Sequence, residues 1–307
     1  MKKLTILMIA VMAMSVQDIH AQLAKVMLQH NGNATLFEPT AVQKAIDASA
    51  DGDTIYIPEG TYNESSITIT KKISIIGQGT KSLLGDITVN IPGGSEMTST
   101  LLYGVNADEV TIKSSMTNLH IDKCTFRNLI IKPQSTTTTK TYIMKDMVIE
   151  RCLITYKFLT IESDKFENAI VRNCNISYYA NTTKDLSFIN CYMYDTTDYI
   201  LYGNFINCKC RYFNNTINNS TSFVNCLLGS LPTSGTITNC YVDSKMDYTD
   251  EELKVKGYLG TDGTIVGKDG GTRPYNLVPA VPSLEDIKMD VNYNTKKLNV
   301  TVKVKAN

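Results

Sequence analysis

Tryptophan is missing altogether, histidine occurs only three times, and no apolar run reaches the length of a bilayer span. Nor is there an excess of charge, since 30 basic residues stand against 30 acidic ones. A nucleic-acid partner needs a basic field to neutralise phosphates, so this balance excludes that class of partner. The longest apolar run, Leu4 to Val16, has thirteen residues. A membrane helix requires roughly 20, so no transmembrane segment is expected. His20 lies near the N-terminus, and His30 and His120 each stand alone, which leaves a Ser/His/Asp arrangement without support. The one close cysteine pair, Cys208 and Cys210, has no histidine near it, so neither a metal site nor a cofactor is indicated. Long polar stretches rich in Asn and Thr fit neither a helical bundle nor a coiled coil.

What is present begins with a signal-like N-terminus. Lys2 and Lys3 precede the short apolar run, and Ile19-His20-Ala21 offers a small residue at a cleavage point. Residues 1–21 therefore read as a secretory signal, with the mature chain starting at Gln22. No cysteine sits at the cut, so a lipid anchor there is not expected. Export places the protein in the periplasm, on the cell surface or outside the cell.

The eight cysteines carry an internal repeat. Cys124, Cys152, Cys174, Cys191, Cys208, Cys226 and Cys240 follow one another at gaps of 28, 22, 17, 17, 18 and 14 residues. Three residues before each stand Ile121, Ile149, Val171, Phe188, Phe205, Phe223 and Ile237; two after stand Phe126, Ile154, Ile176, Met193, Cys210, Leu228 and Val242. All fourteen flanking positions are apolar. Asn immediately precedes the last five cysteines, as Asn173, Asn190, Asn207, Asn225 and Asn239. Cys and the residue two later share one face of a strand, because side chains alternate with period two. The apolar residue three earlier has the wrong parity for that strand, so a bend intervenes. Asn is the side-chain-bearing residue best suited to the left-handed conformation a bend needs. Each repeat is then strand, Asn bend, strand, one coil of a parallel β-helix with like residues stacked in ladders. Stacked neighbours at ~4.8 Å have parallel Cβ vectors and exceed the ~3.8 Å that a disulfide prefers. The cysteines thus read as buried reduced thiols, the alternative being the disulfides usual in exported proteins.

Thr40-Ala41-Val42-Gln43 reads as a capping box, with Thr40 at the N-cap of a helix whose face is Val42, Ala45, Ile46 and Ser49. The stretch Ala41 to Asp47, with Asp51-Gly52-Asp53-Thr54-Ile55, Pro58-Glu59-Gly60-Thr61-Tyr62 and Ile73-Ser74-Ile75-Ile76-Gly77, resembles the N-terminal entry of the pectin-lyase-like β-helix superfamily. That resemblance implies an all-β fold: a single-stranded right-handed parallel β-helix with an N-terminal capping helix. It does not imply one activity, since the superfamily holds lyases, hydrolases, esterases and non-enzymes. Gly260-Thr261-Asp262-Gly263 and Gly267-Lys268-Asp269-Gly270-Gly271 are similar to the exit segment of bacterial secreted β-helix proteins of unknown function. A small C-terminal β-hairpin follows, Ile287 to Tyr293 and Leu298 to Val304, which either caps the last rung or offers an edge to a protein partner. The expected organisation is signal 1–21, cap 22–52, β-helix 53–245, exit segment 246–282 and strand pair 283–307.

Outward positions after each cysteine place Tyr192 and Tyr194 beside Lys209 and Arg211 on neighbouring rungs. Aromatic faces with adjacent cations suit sugar rings carrying carboxylate or sulfate, and the bland alternative is an ordinary solvated ladder. The leading expectation is a non-catalytic protein that binds a polysaccharide or surface glycan, or serves a structural role. The alternative is a lyase or hydrolase on acidic polysaccharide. Superfamily lyases hold Ca²⁺ with acids and abstract a proton with Arg or Lys, roles that would fall to Asp195, Asp198, Lys209 and Arg211. Such lyases also cluster acids on neighbouring rungs, and no such cluster is legible. Asp198 to Gly203 and Arg273-Pro274-Tyr275 resemble fragments of a pectin methylesterase whose other motifs are missing.

Overall fold

The computed structural model describes residues 25–305 apart from 39–40, 63, 65, 93–94, 133–141, 161–163, 182–184, 196–201, 212–216, 281–282 and 293–296. The signal segment, Thr40 and Asp198 lie outside the described residues. The chain coils through two 12-stranded sheets, A and B, with a four-stranded sheet C completing the early coils. Neighbouring coils are parallel and in register. In sheet A, Ile121 pairs with Ile149, Ile149 with Val171 and Val171 with Phe188. In sheet B, Tyr192 pairs with Lys209 and Lys209 with Leu227.

Strand passes from sheet A to sheet B across one left-handed residue. Asn173, Asn190, Asn207, Asn225 and Asn239 have φ between 51° and 55°. Lys123 and Arg151 hold the same conformation on the two rungs before Asn173, φ 55° and 51°, so the bend is general and Asn is its commonest occupant. A second left-handed corner, not anticipated from the sequence, joins sheet C to sheet A at Asn118, Asp146 and Asn168, six residues before Cys124, Cys152 and Cys174. There Asn168 donates to Asp146 at 3.0 Å.

The cysteines stack inside as free thiols, all buried except the half-buried Cys240. Cys210 apart, each bonds a carbonyl of the tight corner it follows. The Cys152 and Cys174 thiols donate to the carbonyls of Glu150 and Arg172 at 3.2 Å, and Cys174 Sγ accepts the Cys152 amide at 3.4 Å. A small group that packs as a hydrophobe yet donates weakly suits this position. Burial pushes the Cys124, Cys152 and Cys174 thiols up, which keeps them protonated and inert. Beside them Phe188, Phe205 and Phe223 stack with centroids 5.0 Å apart.

Two ends depart from expectation. The helix Val42–Ala48 buries Val42, Ala45 and Ile46 over the first coil, as its periodicity requires, but its N-cap is Ala41 and no side chain of its own caps it. Instead the Glu64 carboxylate, from the next coil, accepts the Val42 and Gln43 amides, the latter at 2.9 Å. Gln43 is drawn away to Thr68, whose amide it accepts at 2.7 Å, because bonding the open end of the solenoid satisfies more backbone than closing a box. The antiparallel strands Val26–His30 and Asn33–Phe37 cover the edge of sheet A. A true capping box sits at the other end, where Thr249 and Glu252 begin the helix Asp250–Val255.

From that helix the chain turns back and runs along the A–B corner toward the N-terminal coils. Asn207 accepts the Thr261 amide at 2.9 Å, and Asn173 donates to the carbonyls of Lys268 and Gly270 at 3.0 and 2.7 Å. Gly271 has φ 76° and lies so close to Asn190 that a Cβ would stand 2.2 Å from its Nδ2. Further along, Lys123 donates to Val278 O, and the Ala280 amide donates to Tyr103 Oη at 2.8 Å. The Asn ladder thus both makes the bend and docks this strap. The last strands, Ser283–Asn292 and Lys297–Lys305, pair antiparallel as a separate two-stranded sheet.

Candidate functional site

Beyond the last coils the returning chain covers the outer face of sheet B. Leu227, an outward position, is wholly buried against Met246, Leu253, Ile265 and Val266. Where this cover ends, a cavity of about 250 Å³ opens, with Tyr192 and Lys209 on the sheet side and Asp247, Tyr248, Asp250, Lys268 and Asp269 opposite. Gly267 makes the approach possible, since a Cβ there would meet Lys209 Cβ at 3.1 Å with φ at 94°.

The structure brings four of the candidate residues together. Lys209 Nζ lies 5.1 Å from the centre of the Tyr192 ring, and the Arg211 guanidinium 4.8 Å from that of Tyr194. The two rings are 6.5 Å apart and nearly perpendicular. Arg211 donates to Asp247 at 3.2 Å, and Lys268 pairs with Asp269 at 2.6 Å. Lys209 makes no ion pair among the described residues. Burial holds its amine below the usual lysine range, with Asp247 opposing and Lys268 reinforcing that shift. Burial raises the Tyr192 phenol, against the pull of Arg211. The main chain of Asp195 pairs with Tyr178; its side chain, like Asp198, is outside the described residues.

A second charged group lies on the outer side of sheet A, and here the sequence reading needs correction. Asp122 and Glu150 are register neighbours, so acids do cluster on adjacent rungs. His120 is not alone: its Nδ1 bonds Thr100 Oγ1 at 2.9 Å and its Nε2 bonds Glu150 at 3.2 Å. His30 likewise bonds Asp53 at 2.8 Å. Glu150 is fully buried and also receives Arg172 at 2.7 Å, Arg273 at 3.0 Å and Arg151 at 3.3 Å. Arg151 forks onto Asp122 as well. Burial works to raise the Glu150 pKa, but the hydrogen bonds from His120 and Arg172 and the arginine charges outweigh it and hold the carboxyl near about 2.

Ligand atoms of His120, Asp122 and Glu150 lie within 4.8 Å of one another, a spacing that would admit a metal ion. The donor set does not fit one, because three guanidinium groups already occupy those oxygens and would surround any dication with like charge. The same competition denies His120 the undivided carboxylate that a hydroxyl–imidazole–carboxylate relay needs. Arg273, which resembled part of an esterase motif, is consumed here as an anchor of the strap. Asp122, Glu150 and Arg172 stand two residues before their cysteines, so the cluster was readable at a position the sequence analysis did not compare. Arg273, brought from the exit segment, was not.

A model of the family described as rhamnogalacturonase A/epimerase, pectate lyase-like matches residues 31–248. No curated protein and no solved structure matches the chain.

Proposed function

This chain belongs to the rhamnogalacturonase A/epimerase, pectate lyase-like family, and from that premise we propose that it is an exported, non-catalytic protein that binds an acidic polysaccharide through the cavity at Tyr192 and Lys209. One observation carries the proposal: Lys209 is half-buried, lies against an aromatic face, and lacks an ionic partner among the described residues. A sugar carboxylate supplies that partner while its ring lies on tyrosine. The carboxylates opposite are suited to accept sugar hydroxyls, and Arg211 with Tyr194 extends the polar rim. Export rests on the basic and apolar pattern of residues 1–21.

A catalytic reading remains the second choice, favoured by the lowered Lys209 amine, since an amine of reduced pKa is what proton abstraction requires. It would recruit Asp195, Asp198 and Arg211, with Ca²⁺ among the acids. Electrophoresis of the native protein through gels containing polygalacturonate and Ca²⁺, followed by staining for polymer, separates the two. Retardation that Lys209→Ala weakens, without clearing, is the expected result. A cleared track overturns the non-catalytic reading.

A further inference from the structure

The two ends of the solenoid are finished differently. At the start, the helix Val42–Ala48 covers the first coil with Val42, Ala45 and Ile46. At the finish, the strands Thr236–Thr238 and Tyr241–Val242 end their sheets, and no described strand stacks beyond them. Register sets Ile237 on Phe223 and Val242 on Leu228. Phe223, Cys226 and Leu228 are wholly buried, whereas Ile237 and Cys240 are half-buried and Val242 is 52% exposed. The core ladder therefore stops at an open apolar surface, which a solenoid ordinarily covers with a terminal cap. A second apolar surface lies on the C-terminal hairpin. Its register sets Ile287, Met289 and Val291 opposite Val302, Val300 and Leu298, and alternation places all six on one face. The ribbon pairs with no other strand, and a two-stranded hairpin is marginal without a packing partner.

Within one chain these two surfaces cannot meet face to face. Ala280 is bonded to Tyr103, and Tyr103 lies seven strands from Thr236–Thr238 along sheet A. Those steps at ~4.8 Å amount to roughly 34 Å, whereas the chain from Ala280 to Ser283 spans at most ~11 Å. The ribbon is therefore rooted near the early coils and can approach the last rung only by its tip. We infer that the hairpin of one copy lays its apolar face over the open last rung of a second copy, in a head-to-tail contact. Both halves of the contact belong to this chain, and each lacks what the other supplies. Because the two surfaces differ, the contact is heterologous and leaves one hairpin and one open rung free in every pair. Association then continues beyond two copies unless a ring closes. The inference is independent of the polysaccharide reading, since it uses none of the cavity residues.

The test is sedimentation of residues 22–307 across the micromolar range, with Val242→Asp altering the open rung and Val300→Asp the hairpin. We expect the average mass of the parent to rise with concentration past that of two chains. Alone, each variant sediments as a single chain, since a carboxylate set into an apolar contact weakens it by about a hundredfold or more. Their mixture forms a one-to-one pair and no larger species, because one member keeps an intact hairpin and the other an intact rung. Circular dichroism confirms that each variant keeps its strands. A Val242→Asp chain that associates like the parent overturns the inference in favour of hairpin against hairpin. A Val300→Asp chain that does so overturns it in favour of rung against rung. A parent that stays a single chain throughout the range overturns association between copies altogether.

Discussion

The two charged groups of this solenoid are built from similar side chains and come to opposite ends. On the outer side of sheet A, Glu150 is fully buried and its charge is answered by three arginines and a histidine, under a strap that closes over it. On the outer side of sheet B, Lys209 is half-buried, has a tyrosine face for company, and opens on a cavity. A charge removed from water is tolerable when it is paired within the protein, and it then serves the fold. One left without a partner keeps its capacity for a ligand. The contrast shows that a charged residue's role is read from what already compensates it.

That contrast breaks or sharpens in four measurements. Glu150→Ala strands three guanidinium groups without their anion and should cost about 3–5 kcal/mol, read from the urea midpoint. A cost near zero would place the cluster among ornamental surface pairs. Acid titration comes next. The folded pKa of Glu150, about 2, is depressed below its ordinary 4.5, so its stabilisation is complete above pH 4.5 and is lost as pH falls from there toward 2. The loss amounts to about 3 kcal/mol, and Glu150→Gln should flatten that part of the stability profile.

Asn207→Ala should cost about 2 kcal/mol, combining left-handed strain with loss of the Thr261 hydrogen bonds. Asn207→Gly relieves the strain and keeps only the second term, so equal losses would show that the bend itself is undemanding. The smallest effect on stability belongs to Lys209→Ala, within about 0.5 kcal/mol of the parent, although polygalacturonate binding should fall about tenfold. A Lys209 variant that unfolds easily while Glu150→Ala does not would invert the comparison.

Much of this was legible in residues alone. The Cys spacing with its apolar flanks gave the coil, the Asn positions gave the corner, and outward parity gave the adjacency of Tyr192 with Lys209. All depend on local alternation, which stacking in register preserves from rung to rung. The helix cap misled, because Gln43 has a better use in bonding Thr68 across the open end of the solenoid, and no local pattern reports that. His120 looked isolated because its partners, Thr100 and Glu150, lie 20 and 30 residues away and meet it only through the stacking of coils. The register slip that exposes Tyr156 escaped notice for the same reason, since it exists only between the paired strands Leu153–Thr160 and Asn175–Asn181.

By itself, then, the sequence determined the repeating coil, because the period-two pattern and the left-handed preference of Asn act within a few residues. Only the tertiary structure decided which charges are spent and which remain. Arg273 reaches Glu150 across 123 positions of chain, and Asp247 and Lys268 return to enclose Lys209. Those meetings depend on the path of the strap over the corner and of the post-repeat segment over sheet B, and compensation of a buried charge is a property of what surrounds it in space.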